Sequence, residues 1–276
     1  MIEHPQTILL KADNANYTKN ITEGIVWQYY DDMKAKIIPY LKGLDLFIVV
    51  KAGKKELYLR KPFDKSTEFI RVNNTKDFDK INIGRMIEVH VTAPRKVDYF
   101  VLDLDPGSNL IWGDIKRGTL QLHDFLKSTE KLKDIKIHYT GVRSFHIWCY
   151  LKGGKKDIDA IREEWVNILE EKFKDSKFHI VNKQTPGKNQ LNIDFSPVGF
   201  NKGHITPYSL RAKTGLVCVE VSAKNLSKFK KKDATLDKIY KDMLGKKFDW
   251  EIKDEMKKSY DIFKIAMEGM YERYYF

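Results

Sequence analysis

Apolar residues recur along this chain at two spacings, and the switching between them marks out its elements. Over 20–42, Val26, Tyr30, Met33, Ile37 and Leu41 repeat at a helical step, with Asn20 or Thr22 as cap and Gly43 as terminator. Strand-like runs follow at 46–51, 56–60 and 68–72, and Ala52-Gly53-Lys54-Lys55 suits a hairpin between the first two. Over 86–92 the alternation is strong: Ile87, Val89 and Val91 face one way, Glu88, His90 and Thr92 the other. A strand over 99–105 ends at Pro106-Gly107. A helix is expected over about 114–128, with Ile115, Leu122, Phe125 and Leu126 inward, then strands at 135–139 and 145–151 around a tight turn. Ile158, Ile161, Trp165, Ile168, Leu169 and Phe173 form one stripe of a helix over 157–174. Further strands are predicted at 178–181, 190–195, 208–210 and 216–221. The tail from about 234 reads as helical, with Met256, Tyr260, Phe263, Met267 and Met270 on one face. Helices mixed with hairpins, rather than regular βαβ units, predict an α+β fold.

Composition narrows the function. The 276 residues hold 50 Lys plus Arg against 38 Asp plus Glu, a net charge of +12, which points to a polyanionic partner such as nucleic acid. Only nine of the basic residues are arginine, so the few arginines inside motifs carry more information than the many lysines. The run Lys228-Phe229-Lys230-Lys231-Lys232 reads equally as a phosphate-tracking patch or a solvated loop. A hydrophobic fraction of 42% excludes a disordered chain. No apolar run reaches about 18 residues, so no membrane span is expected. The start MIEHPQTILLKADN lacks the layout of a signal peptide, and a cytoplasmic location is expected. Cys149 and Cys218 lie in apolar strand-like runs and read as buried, reduced thiols; two cysteines argue against a four-ligand zinc site. There is no P-loop and no dinucleotide-binding glycine fingerprint.

The sharpest chemistry lies in Val101-Leu102-Asp103-Leu104-Asp105-Pro106-Gly107. Residues two apart on a strand share a face, so Asp103 and Asp105 point together, about 7 Å apart, and repel unless a cation bridges them. Oxygen ligands favour Mg²⁺ or Mn²⁺. The alternative is two solvated acids before a turn. Asp194, in Leu191-Asn192-Ile193-Asp194-Phe195, is a candidate third carboxylate for a two-metal site of phosphoryl transfer, or else a surface acid at a strand end. Thr140, Arg143, Ser144 and the amides of their turn form a candidate anion nest, with His146 two residues on. Arg211 and Lys213 make a second basic cluster, and a return strand is expected to bring Arg211 to the acids. A hairpin between 86–92 and 99–105 is expected to set His90 beside them as well.

Together these pieces resemble the archaeo-eukaryotic primase superfamily, most closely the polymerase domain of bacterial ligase D and its stand-alone archaeal relatives. The resemblance rests on ITEGIVWQYYDDMKAKIIPYLKG, ELYLRKPF, IEVHV, VLDLDPG, YTGVRSFHIW and IDF…ITPYSLRAKTG in that order, and runs from about residue 10 to 240. It implies a catalytic core with an RRM-like antiparallel sheet plus a partnering α/β lobe, one functional unit over 1–240; residues 241–276 lie outside the resemblance and are expected, from their apolar pattern, to form a helical tail packed on it. It implies that Asp103, Asp105 and Asp194 bind two Mn²⁺ or Mg²⁺ ions, that Thr140, Arg143, Ser144, His146, Arg211 and His90 hold the incoming nucleotide, and that Lys61 contacts nucleic acid. The chain departs from the pattern at Thr140, where relatives carry serine, and at Pro197, where they carry arginine. Glu23 stands where relatives use a lysine near a 5′-phosphate, which leaves Lys11 or Lys19, with Lys213, for nucleic acid. The implied activity is template-directed extension of a 3′-hydroxyl with NTPs or dNTPs, in break repair or gap filling by non-homologous end joining. DNA, an ATP-dependent DNA ligase and Ku are the implied partners. The alternatives are a primase that starts chains without a primer, a metal-dependent glycosyltransferase that uses only the Asp103–Asp105 pair, and a non-catalytic nucleic-acid-binding protein.

Overall fold

A computed structural model describes residues 8–11, 16–52, 55–59, 69–81, 86–174, 178–181 and 187–251. In chain order the elements are β1 (Ile8–Leu10), β2 (Ile21–Thr22), α1 (Glu23–Leu41), β3 (Asp45–Ala52), β4 (Lys55–Leu59), β5 (Ile70–Arg71), α2 (Thr75–Ile81), β6 (Met86–Thr92), β7 (Lys96–Val97) and β8 (Tyr99–Pro106). There follow α3 (Trp112–Ser128), β9 (Leu132–Tyr139), β10 (Phe145–Leu151), β11 (Lys156–Asp157), α4 (Ile158–Phe173), β12 (Phe178–Val181), β13 (Leu191–Asp194), β14 (Gly203–Ile205), β15 (Val219–Glu220), α5 (Ala223–Leu226) and α6 (Leu236–Leu244). The fold is α+β, as the patterning predicts. It divides into two compact units: one is drawn from 1–91, 205–217 and 231–276, the other from 92–204 and 218–230.

In the first unit, α1 buries its whole predicted stripe, with Val26, Tyr30, Met33, Ile37 and Leu41 fully enclosed. Thr22 Oγ1 accepts a hydrogen bond from Ile25 N at 3.4 Å and caps the start, while Gly43, at φ 78°, turns the chain out of the helix. Strand β3 pairs antiparallel with β4, β5 and β6. Tyr30 Oη donates to Ile87 O at 2.8 Å, Leu210 N donates back to Tyr30 Oη at 3.1 Å, and Val89 N donates to Ser209 Oγ at 2.8 Å. These bonds lace α1 and the segment 205–217 onto β6. The polar face of β6 is therefore enclosed too, and Glu88, His90 and Thr92 are all buried.

Several expectations change here. Helix α2 is absent from the apolar pattern because its start is written in polar residues. Asn74 Oδ1 accepts from Asp77 N at 3.0 Å, and Asp77 Oδ2 accepts from Asn73 N at 3.1 Å. The strand predicted at 208–210 is a turn with a single bridge, Leu210 to Val217, because Tyr208 takes φ 64°. Of 216–221 only Val219–Glu220 is strand, since Val217 N is drawn to Ala234 O at 2.8 Å. Helix α6 runs through the expected boundary at 240, and Tyr240 Oη donates to Asp32 Oδ2 at 2.9 Å. The turn at Gly53-Lys54 and the helical face from Met256 to Met270 lie outside the described residues.

In the second unit one sheet runs in the order β12-β13-β8-β10-β9-β15, antiparallel except for the parallel β12–β13 pair. Period-two alternation puts Phe100, Leu102 and Leu104 on one face, where Phe100 meets the fully buried Trp165 of α4 at 5.1 Å. Phe125 of α3 and Phe173 of α4 join the two helices edge to face at 5.5 Å. The other face is left for polar chemistry.

Candidate active site

Register decides which polar side chains meet on that face. Asp194 of β13 stands opposite Asp103 of β8, Asp103 opposite His146 of β10, His146 opposite His138 of β9, and His138 opposite Glu220 of β15. One titratable row thus crosses five strands. Two residues along β8, Asp105 stands opposite the buried Asn192. His146 Nε2 lies 3.3 Å from Asp103 Oδ1, and that oxygen is buried without a hydrogen-bond partner among the described residues.

Burial, then the charges of Asp103 and Asp194, push the Asp105 carboxyl from 3.8 up to about 6, with His146 pulling the other way. Both oxygens of Asp194 are held by one residue: Ser196 N donates to Oδ1 and Ser196 Oγ to Oδ2, each at 2.7 Å. Accordingly, among the described residues no group of three or more His, Cys, Asp or Glu side chains is closed up as a ready coordination shell. What the site offers is hard oxygen donors set near one another, and like charges so placed repel. Burial also drives His138 down to about 3, so it stands neutral in the row.

The turn after β9 carries Thr140 and Ser144. Thr140 Oγ1 and Ser144 Oγ are 2.9 Å apart, and Thr140 N donates to Ser144 O at 3.1 Å around Gly141, whose φ is 85°. Arg143, expected to face phosphate, instead donates to three carbonyls: Gly107 O at 3.0 Å, Ser108 O at 3.3 Å and Leu110 O at 2.5 Å. It pins the loop that leaves the acid-bearing strand. Glycine is required at 107, because a Cβ there would sit 2.1 Å from Gly187 O and 2.6 Å from Lys188 O.

His90 and Arg211 belong to a second cluster, in the first unit. Strands β6 and β8 lie in separate sheets and do not form the expected hairpin, because β7 turns away to pair with β11. Glu88 gathers His90 and Arg211: its Oε2 lies 2.8 Å from His90 Nε2 and 3.1 Å from Arg211 Nη1, while Ala212 N donates to Oε1 at 2.7 Å. Burial raises the Glu88 carboxyl, but the His90 hydrogen bond, the Arg211 and His90 charges and the Ala212 amide outweigh it and hold the group below its ordinary range. The His90 ring stacks on Phe47, centroids 4.2 Å apart.

Lys11, Lys19 and Lys213 are exposed, and Lys61 lies outside the described residues. Glu23 is fully buried in the first turn of α1, so its carboxylate is enclosed rather than turned to solvent. Cys149 and Cys218 are both buried. No helix among the described residues is long and apolar enough to cross a membrane. Sequence reasoning assigned no role to Glu88, His138, Asn192 or Ser196. A signal existed for Glu88, since it shares the polar face of its strand with His90; none exists for His138, whose neighbours in the row come from other strands.

Comparison with known proteins bears on what such a face serves. The sequence profile described as LigD, primase-polymerase domain, matches residues 22–250. The chain belongs to this family. The LigD profile takes in every element from α1 to α6, and hence both clusters described above. Among solved structures the chain is similar to the polymerase domain from Mycobacterium tuberculosis ligase D in complex with DNA, at 15% identity and a TM-score of 0.66, over 82% of this chain and 88% of that one. At that identity the likeness speaks for the fold. Among curated protein sequences none matches this chain significantly.

Proposed function

We propose that this LigD-family chain is a template-directed nucleotidyltransferase that extends a 3′-hydroxyl with NTPs or dNTPs. The observation that carries the reading is the acid cluster Asp103, Asp105 and Asp194 on neighbouring strands, in a chain of this family. Asp103, whose Oδ1 is buried without a hydrogen-bond partner among the described residues, and Asp105, whose carboxyl is pushed up by burial and then by the neighbouring acids, fit a hard divalent cation, with Asp194 as third donor. Two Mn²⁺ or Mg²⁺ ions there would supply Lewis acidity for the attacking hydroxyl and the triphosphate.

The remaining work falls to the chain's own groups. Ser196 holds the Asp194 carboxylate on its strand end. His146 stands against Asp103, where it can donate a proton in a hydrogen bond to phosphate oxygen. Thr140 and Ser144 offer hydroxyls beside the turn amides, while Arg143 keeps the Gly107–Leu110 loop in register with them. Glu88 fixes the Arg211 guanidinium and His90 in one arrangement, ready for an anion that Arg211 can share. DNA as substrate agrees with the net charge of +12 and with the DNA complex of the M. tuberculosis relative. A role in end joining, with a ligase and Ku as partners, is the reading that family membership favours.

The test is incorporation of a labelled nucleoside triphosphate on a primed template with Mn²⁺, for the wild type and Asp103→Ala. Extension by the wild type alone is expected. No extension by either, with template binding intact, would leave a nucleic-acid-binding protein whose three acids are structural.

A further inference from the structure

We infer that the segment from Lys224 to Lys230 is a rigid phosphate-tracking surface that grips the backbone of duplex nucleic acid. This rests on the proposed polymerase reading and adds a named contact surface to it. From Val221 to Lys232 the chain has five lysines and no acid. A solvated loop with that composition would have no reason to be ordered, yet this one is anchored at two points. Leu226 of α5 is fully buried, and Phe229 is 7% exposed.

Phe229 enters an aromatic cluster, 5.2 Å from Tyr139, 6.2 Å from Phe145 and 6.4 Å from Trp112. Its carbonyl accepts from Trp112 Nε1 and from Lys116 Nζ, both at 3.4 Å, and Lys116 also donates to Ser227 O. The backbone closes on itself as well: Lys228 N donates to Asn225 O at 3.0 Å, and Phe229 N to Asn225 O at 3.0 Å.

With 226 and 229 turned inward, Lys224, Lys228 and Lys230 are left exposed on a fixed backbone. Lys224 and Lys228 take part in no ion pair among the described residues. Fixing the backbone lowers the ordering cost that a mobile lysine loop meets on binding. Lysine presents a point charge without the fork that reads a base edge, so the surface suits phosphate and is indifferent to sequence.

The experiment titrates the full chain against a fluorescent DNA duplex across a series of NaCl concentrations. It compares wild type, Lys224→Gln/Lys228→Gln/Lys230→Gln, and a charge-matched control, Lys127→Gln/Lys133→Gln/Lys155→Gln. Three lost phosphate contacts lower the slope of log affinity against log salt by about 2.7, so between about 50 and 200 mM NaCl the wild type loses about 40-fold more affinity than the variant. The control keeps the wild-type slope. Primer extension by the same samples separates the two levels of the argument. A wild type that extends primers while the patch variant keeps the full salt slope overturns the surface alone. A wild type that neither binds duplex nor extends primers overturns both. Equal loss of slope in variant and control also overturns the surface, since net charge would then account for it. The same three proteins are also sedimented with phosphatidylserine vesicles, and a patch variant that keeps duplex binding but loses the vesicles overturns the surface as well.

Discussion

Glu88→Gln tests whether the buried cluster in the first unit holds its segment in place. The wild-type carboxylate accepts from His90, from Arg211 and from Ala212 N, at 2.8, 3.1 and 2.7 Å. Glutamine keeps the volume and can still accept from Ala212 N. Its amide NH₂ then faces the Arg211 guanidinium, donor against donor. One charge-assisted bond is lost outright and the shared His90 contact is weakened, at about 1.5–3 kcal/mol for a hydrogen bond to a charged group. The Arg211 side chain is 27% exposed and recovers part of its solvation, so we expect a net loss of about 3 kcal/mol. For a chain of this size that lowers the thermal midpoint by about 6–12 °C.

The pH dependence gives the sign. A carboxyl held below its ordinary 4.5 when folded takes up its proton more readily when unfolded. Its stabilisation is therefore present at neutral pH and is lost as the pH falls through the lowered value, so the gap between wild type and variant closes in acid. The assay is thermal unfolding followed by tryptophan fluorescence from pH 3 to pH 8. A midpoint change under about 2 °C at pH 7 would refute the reasoning, as would a gap that widens in acid.

In metal-free buffer Asp105 acts in the opposite direction. Its folded value of about 6 exceeds the ordinary 3.8, so stability is full at low pH and is lost as the pH rises through about 6. Asp105→Asn should then raise the midpoint at pH 7 in EDTA and abolish any rise on adding Mn²⁺; a lower midpoint in EDTA would sink the account by burial and like charge. Gly107→Ala should destabilise by about 1–3 kcal/mol, because the Cβ meets backbone carbonyls rather than a side chain that can move. A urea midpoint unchanged from wild type counts against that packing. Arg143→Met should cost about 1–3 kcal/mol and speed amide exchange at Asn109 and Leu110. Weaker nucleotide binding with exchange unaltered would return Arg143 to a phosphate-facing role.

The sequence by itself determined the class of fold and the local grammar. Apolar spacing located α1, α3 and α4, because one buried face at a fixed period is a local property. Alternation likewise set Asp103 beside Asp105, away from Leu102 and Leu104. Order and spacing of the short motifs pointed to the ligase D polymerase resemblance, which the family match over 22–250 supports. Tertiary structure decided what each polar side chain meets. The row from Asp194 through Asp103 and His146 to His138 depends on register among β13, β8, β10 and β9, and register is a long-range pairing with no local signature. Arg211 joins Glu88 only because the hydrogen bonds that Tyr30 Oη accepts from Leu210 N and Ser209 Oγ accepts from Val89 N fold the segment 205–217 onto β6. Arg143 spends its guanidinium on three carbonyls because the loop at Gly107 comes within its reach. Sequence periodicity tells a side chain which face it takes; the partner on that face comes from elsewhere in the chain, and only folding brings it there.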